Sequence, residues 1–182
     1  MSIICLDGIV DIGTVTRRIP IDDCQPSQLL LSAKKLRGVL EWADPDEFAP
    51  DPVLVLPAAD VPRIGATAVD TPYVVIDGHT RAFVAHCCGV DTLEIQVEDA
   101  SDVERNALEI YAHCVEWCLE ESITTPADLA GRVVSHETYL EEWVGRCHDL
   151  ESVLCSEDED ERGSERGVEV GGDTDDEDGD VT

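Results

Sequence analysis

Residues 17–100 switch repeatedly between a period of two and a period near 3.6. "RRIPIDDC" (17–24) alternates apolar and polar positions, which predicts a strand. Pro20 within it predicts an edge position, because proline cannot donate to a ladder. "QPSQ" reads as a turn, and Ser32 is placed to cap a helix through "AKKLRGVLEW", where Leu36, Val39 and Leu40 fall at helical spacing. A second strand is predicted around Val53–Leu56, then a loop over 57–72. "YVVI" (73–76) is a continuous apolar run, the pattern of a strand covered on both faces. Residues 79–88 read as a helix ended by Gly89, and "TLEIQVE" as a fourth strand.

The next segment, 101–155, keeps to the helical period. Ser101 and Glu104 have the spacing of a capping box ahead of a stripe formed by Val103, Ala107, Ile110, Tyr111, Cys114 and Cys118. Thr125-Pro126 opens a short second helix with proline at its first position. Ser135 is placed to cap a third, with Leu140, Trp143, Val144, Cys147 and Leu150 facing inward and Trp117 in the core. From Ser156 onward the chain holds thirteen of its 41 acidic residues and almost no bulky apolar side chain, so a disordered acidic tail is expected. The predicted organisation is α+β: a small mixed-sheet domain over 1–100, a helical extension packed on it over 101–155, and the tail over 156–182.

Charge narrows the partners. The formal net charge is −29, which argues against direct DNA binding, since a nucleic-acid backbone would be repelled. Of the 12 basic residues only Lys34 and Lys35 are lysines. Abundant carboxylates with scarce lysine fit a protein hydrated in concentrated salt, a halophilic cytoplasm; an ordinary acidic protein with an acidic tail is the other reading. No apolar run approaches the roughly 18 residues of a membrane span, and "MSIICLDGIVDIG" lacks a basic start and long apolar stretch, so a cytoplasmic location is expected.

The eight cysteines include no C-x-x-C knuckle. His86-Cys87-Cys88, His113-Cys114 with Cys118, and Cys147-His148 mix ligand types, and Cys114 and Cys118 share a helix face. That is ligand geometry and equally the spacing of two small core residues; no metal site is expected.

The chemistry concentrates in "VVIDGHTRAF". A strand passes through Asp77-Gly78 into a helix that begins with His79, Thr80 and Arg81. Gly78 permits close approach of a ligand, the first amides of a helix favour an anion, and an arginine one turn in can fork two phosphate oxygens. The competing reading pairs Arg81 with a nearby carboxylate.

In order and spacing, strand–"DGHTRA"–helix–Gly–strand after strand–helix–strand resembles the ParB/sulfiredoxin fold over roughly residues 15–100. "IPIDDCQPSQ" stands where that family begins and "GVDTLEIQVED" resembles its closing strand, while the helical segment resembles small stand-alone ParB-like proteins. The resemblance implies a nucleotide (ATP, ADP or CTP) bound through Asp77, Gly78, His79, Thr80 and Arg81, its phosphates on Gly78–Arg81 and a Mg2+ ion held by Asp77 or a phosphate. Sulfiredoxins carry a catalytic cysteine where this chain has His79, and ParB proteins carry an acid–arginine pair at His79 and Thr80, so neither chemistry is carried over. A free serine kinase branch shares Gly-His and the arginine; its catalytic acid would fall at Asp22 or Asp23, with His79 neutralising transferred charge. Two functions follow as expectations. One is a nucleotide-dependent phosphotransferase, small-molecule kinase-like, or a nucleoside triphosphatase, its ligand a nucleotide or a phosphorylated small molecule. The other is a binding or regulatory module for a nucleotide or a protein partner.

Overall fold

A computed structural model describes residues 16–44, 48–64 and 70–164, with side chains of the last helix as far as Ser156. Five strands form a mixed sheet in the order β1-β6-β4-β5-β2. They are β1 (Thr16–Pro20), β2 (Cys24–Pro26), β4 (Val53–Pro57), β5 (Tyr73–Asp77) and β6 (Thr92–Val97). β1 runs antiparallel to β6 and β4 antiparallel to β5, whereas β6–β4 and β5–β2 are parallel. Two-residue β3 (Leu31–Ser32) pairs separately with β7 (Val133–Val134). The helices are α1 (Ala33–Leu40), α2 (His79–Cys87), α3 (Arg105–Glu120), α4 (His136–Thr138) and α5 (Gly145–Ser164). The architecture is α+β.

The first predicted strand divides in two. Pro20 ends edge strand β1, the turn Ile21–Asp23 follows, and β2 starts at Cys24 on the opposite edge. Four Cα steps span at most about 15 Å. The edges of a flat five-stranded sheet would stand roughly 19 Å apart. The sheet must therefore curl to let so short a turn join its two edges. "QPSQ" is correspondingly not a free turn: Gln25 and Pro26 are strand residues, and the buried Gln25 amide donates to the carbonyls of Pro26 (2.9 Å) and Ile123 (2.8 Å).

Strand alternation divides the core between the two sheet faces. Val53, Val55, Val75, Leu93 and Ile95 face Ala82 and Ala85 of α2. Leu56 and Val74, from neighbouring strand positions, instead pack with Ala112 and Val115 of α3. That places β5 between helices, as its apolar run predicts. A third cluster gathers Leu29, Leu31 and Phe83 with Cys114, Cys118, Ile123, Leu129, Tyr139 and Trp143. The extension is thus no separate layer; its residues complete two of the three clusters.

Local signals decide the remaining boundaries. Ser32 caps α1, its Oγ accepting from the Lys35 N–H at 3.4 Å. Thr125 and Asp128 form a reciprocal capping box on the 3-10 helix Pro126–Leu129, and the Ser135 Oγ accepts from the Thr138 N–H at 3.1 Å. The box expected at Ser101 and Glu104 does not form. Asp99 takes the Ser101 N–H (2.9 Å) and hydroxyl (2.7 Å) instead, and α3 starts at Arg105 without a side-chain cap.

Between α4 and α5 the helix widens into a π segment, Tyr139–Val144. Tyr139 and Trp143 are buried there, while Leu140 is 47% exposed. Leu140 is therefore not a core residue. Leu40, the last apolar position of α1, is also exposed. α5 continues to Ser164, nine residues into the stretch expected to be disordered from Ser156; the remainder, 165–182, lies outside the described residues, as does Cys5.

Candidate functional site

β5 ends at Asp77, and Gly78 reverses the chain into α2 with φ +94°. A side chain there would be strained by that angle. It would also collide with Arg81, whose Nη2 lies 2.9 Å from where a Cβ would stand. Two requirements therefore meet at Gly78: a left-handed backbone, and room for a guanidinium lying over the turn. That guanidinium donates from Nη2 to the Asp77 carboxylate at 2.9 Å and from Nη1 to the Asp51 carbonyl at 3.3 Å. The Arg81–Asp77 ion pair belongs to the competing reading from the sequence, and it forms. It does not bury the pair, because the Asp77 side chain is 68% exposed and that of Arg81 20%.

His79 plays a different part from the one anticipated. Its ring is buried, and Nε2 accepts the backbone N–H of Ser27 at 3.1 Å, which leaves the ring proton on Nδ1. The Ser27 hydroxyl donates to the Val75 carbonyl at 2.6 Å. Burial pushes the imidazole down to about 4; the Asp77 carboxylate opposes the shift and the Lys35 ammonium adds to it. His79 is accordingly neutral at pH 7, and its acceptor nitrogen is committed to holding the segment after β2 against the start of α2. Neutralising a transferred phosphoryl charge is not open to it in this arrangement.

Asp22 and Asp23 do not reach the turn. They precede Cys24, which pairs with Tyr73 at the start of β5, whereas the turn follows Asp77 at its end. Four residues of strand separate the two levels by about 13 Å. Neither aspartate lines the cleft beside the turn. Their assignment as catalytic acids is corrected on that ground.

The structure instead brings Lys35, Val39 and Trp42 of the α1 region, with Gln28, to the residues of the turn. Together with Asp77, Gly78, His79, Thr80 and Arg81 they line an open cleft of about 400 Å³. Lys35 is held at its rim by Tyr139, accepting at 3.3 Å with the ammonium 5.0 Å from the ring centroid. Trp42 stacks on Phe48 (5.5 Å between centroids, 10° between planes) yet remains 52% exposed. Two cations, the N-terminus of α2 and an exposed indole thus share one concavity, with Asp77 its single carboxylate among the described residues.

Lys35 and Trp42 were absent from the sequence-based site. Lys35 carried a signal: it is one of two lysines in a strongly acidic chain, three residues past a helix cap. Trp42 carried one too, standing at i+7 from Lys35 and i+3 from Val39 on the predicted helix, although α1 itself ends at Leu40.

The cysteine–histidine clusters do not assemble as a ligand set. Cys114 and Cys118 are core residues, Cys87 is exposed, and among the described residues no three His, Cys, Asp or Glu side chains converge as a metal would require. Among the described residues no helix is long and apolar enough to cross a membrane. No family model matches the chain, and neither a curated protein nor a solved structure does.

Proposed function

We propose that this chain is a ParB-like nucleotide-binding protein that seats the ligand's phosphates on the Gly78–Arg81 turn. One observation supports the reading above all: in a chain of net charge −29, Lys35 and Arg81 converge with the start of α2 on a single cleft. A concavity with that charge in so negative a protein selects a compact polyanion. The N–H groups of His79, Thr80 and Arg81 lie in the first helical turn, where no intrahelical acceptor exists. Arg81 would exchange its exposed carboxylate partner for phosphate oxygens, and Lys35 would approach from the opposite wall.

The exposed indole of Trp42 favours a nucleotide over inorganic phosphate, since a base can stack on it while the phosphates reach the turn. Asp77 fits a magnesium ion only in the manner usual for that metal, one carboxylate supplementing ligand phosphates and water. When bound, the ion would supply charge neutralisation between phosphate oxygens. Asp77, freed from Arg81, would be its protein ligand.

Binding without turnover is the favoured form of the proposal. The carboxylates expected to act as base sit at the far end of β5, and His79 is spent on the Ser27 amide. A regulatory module that responds to a nucleotide fits those positions better than a phosphotransferase. The test is a thermal-shift screen of the full chain with ATP, ADP, CTP and tripolyphosphate, with and without Mg2+, in molar KCl. A ligand that binds only the native state raises the midpoint by mass action. No rise with any of them at millimolar concentration would remove the proposal.

A further inference from the structure

α3 and α5 meet at two cysteines, with the Sγ atoms of Cys114 and Cys147 3.9 Å apart. The two are chemically unequal. Cys114 is buried among Leu29, Phe83, Cys118 and Trp143, while Cys147 lies at the edge of that cluster and is partly open to solvent. Cys147 follows Arg146, whose guanidinium rests on the Trp117 ring at 3.7 Å and is thereby held beside the thiol. The contact with Cys114 and the Arg146 charge lower the Cys147 thiol from its ordinary range, against burial and the Glu151 carboxylate. The same contact, with burial, pushes Cys114 up. One sulfur is therefore partly open to solvent, and the other is buried directly behind it. A reactive thiol with a resolving partner in contact is the arrangement that oxidation to a disulfide needs.

We propose that Cys147 and Cys114 form a reversible disulfide, with Cys147 as the thiol that meets the oxidant, a hydroperoxide. The Cys147 thiolate attacks the peroxide and breaks its O–O bond. The sulfur is oxidised to sulfenic acid, and the departing oxygen is reduced and leaves as water or an alcohol with the proton Cys147 has given up. Cys114 then attacks the sulfenic sulfur. The S–S bond forms, and the hydroxyl leaves as water with the Cys114 proton. Two thiols and one hydrogen peroxide give one disulfide and two waters. A thiol reductant reverses the step by exchange. Closing the bond brings the sulfurs from 3.9 Å to about 2.05 Å. It also locks α5 and the π turn onto α3, and Tyr139 of that turn is the residue that holds Lys35 at the cleft.

The test treats the reduced full chain with one to a few equivalents of hydrogen peroxide, blocks remaining thiols, unfolds and digests the protein, and maps its cysteines by mass spectrometry. The expected result is a Cys114–Cys147 cross-linked peptide 2 Da lighter than the two reduced peptides, lost again on treatment with dithiothreitol. In Cys114→Ser, dimedone added with the peroxide should label Cys147. Should that variant fail to fold, the same trap in the wild-type chain at early times decides which sulfur reacts first. Cys87, Cys88 and Cys155 serve as internal competitors, since they are partly or fully exposed. Oxidation confined to those three, with Cys114 and Cys147 both still free to alkylate after unfolding, would overturn the proposal. Dimedone on Cys114 rather than Cys147 would overturn the assignment of roles.

Discussion

The Nε2 atom of His79 accepts the backbone N–H of Ser27 across 3.1 Å, joining the first turn of α2 to the segment that leaves β2. This contact fixes the entrance to the cleft and has a pH signature. The native imidazole is held down to about 4, against about 6.5 when exposed. Between those values the unfolded chain binds the extra proton and the folded chain does not, so stability is full above pH 6.5 and falls as pH drops towards 4. The His79 share of the slope cannot exceed about 1.4 kcal/mol per pH unit. Denaturant unfolding of the wild type and His79→Gln from pH 7.5 to 5 measures it. The variant should start lower, by about 1–3 kcal/mol for the disturbed buried hydrogen bond, and the gap should narrow as pH falls. Parallel curves would show that His79 is not buried as a neutral acceptor.

Gly78→Ala is expected to cost about 1–2 kcal/mol from the left-handed backbone alone, with a smaller part from displacing the Arg81 guanidinium off Asp77. Only the second part depends on the arginine. In an Arg81→Ala background the same glycine substitution should therefore be cheaper, a coupling readable in a double-mutant cycle. Strictly additive costs would mean that the guanidinium gives way over the turn without cost.

Leu140 and Trp143, which the sequence placed together in the core, differ in burial. Trp143→Ala should lose about 3–5 kcal/mol as a buried aromatic truncation. Leu140→Ala should stay within about 0.5 kcal/mol as a surface change. Urea midpoints for the pair decide the matter, and comparable losses would place Leu140 inside the core.

Those two residues also show where sequence pattern stops being informative. Period and apolar runs located β4, β5, α2 and β6, because each of those elements buries apolar residues in the core. Caps at Ser32, Thr125 and Ser135 were readable because each has a side-chain oxygen at the right offset from a helix start. Ser101 met the same rule, but Asp99 lay two residues away and took its donors. No local rule marked the split of residues 17–24 between opposite edges, since only closure of the curled sheet demands it. In the site, Gly78 and Arg81 were legible as a turn motif. Asp22 and Asp23 were misplaced because their distance from Asp77 is set by the β2–β5 register, and Lys35 was missed because α1 reaches the turn through tertiary packing.

Trp42 gives a way to tell a nucleotide from its phosphates. If a base stacks on the exposed indole, Trp42→Ala should weaken nucleotide binding by about 1–3 kcal/mol. Binding of tripolyphosphate should be left alone. Isothermal titration of both ligands against both proteins separates the terms. Equal weakening of the two ligands would make Trp42 a support of the cleft wall rather than a base platform.

Arg81→Ala measures the central claim most directly. The full-length wild type and variant are titrated with ATP, ADP and CTP in the presence of Mg2+, and the unliganded melting temperature of each is recorded alongside. The ion pair with Asp77 is open to solvent, so its loss should change the unliganded midpoint by no more than about 2–4 °C. Loss of a charge-assisted contact to phosphate, worth about 1.5–3 kcal/mol, should lower affinity for the bound nucleotide tenfold or more. A variant that binds as well as its parent, or a parent that binds none of the three, would contradict the account. So would an Arg81→Ala chain that unfolds without ligand, which would make the arginine a structural partner of Asp77 and nothing more.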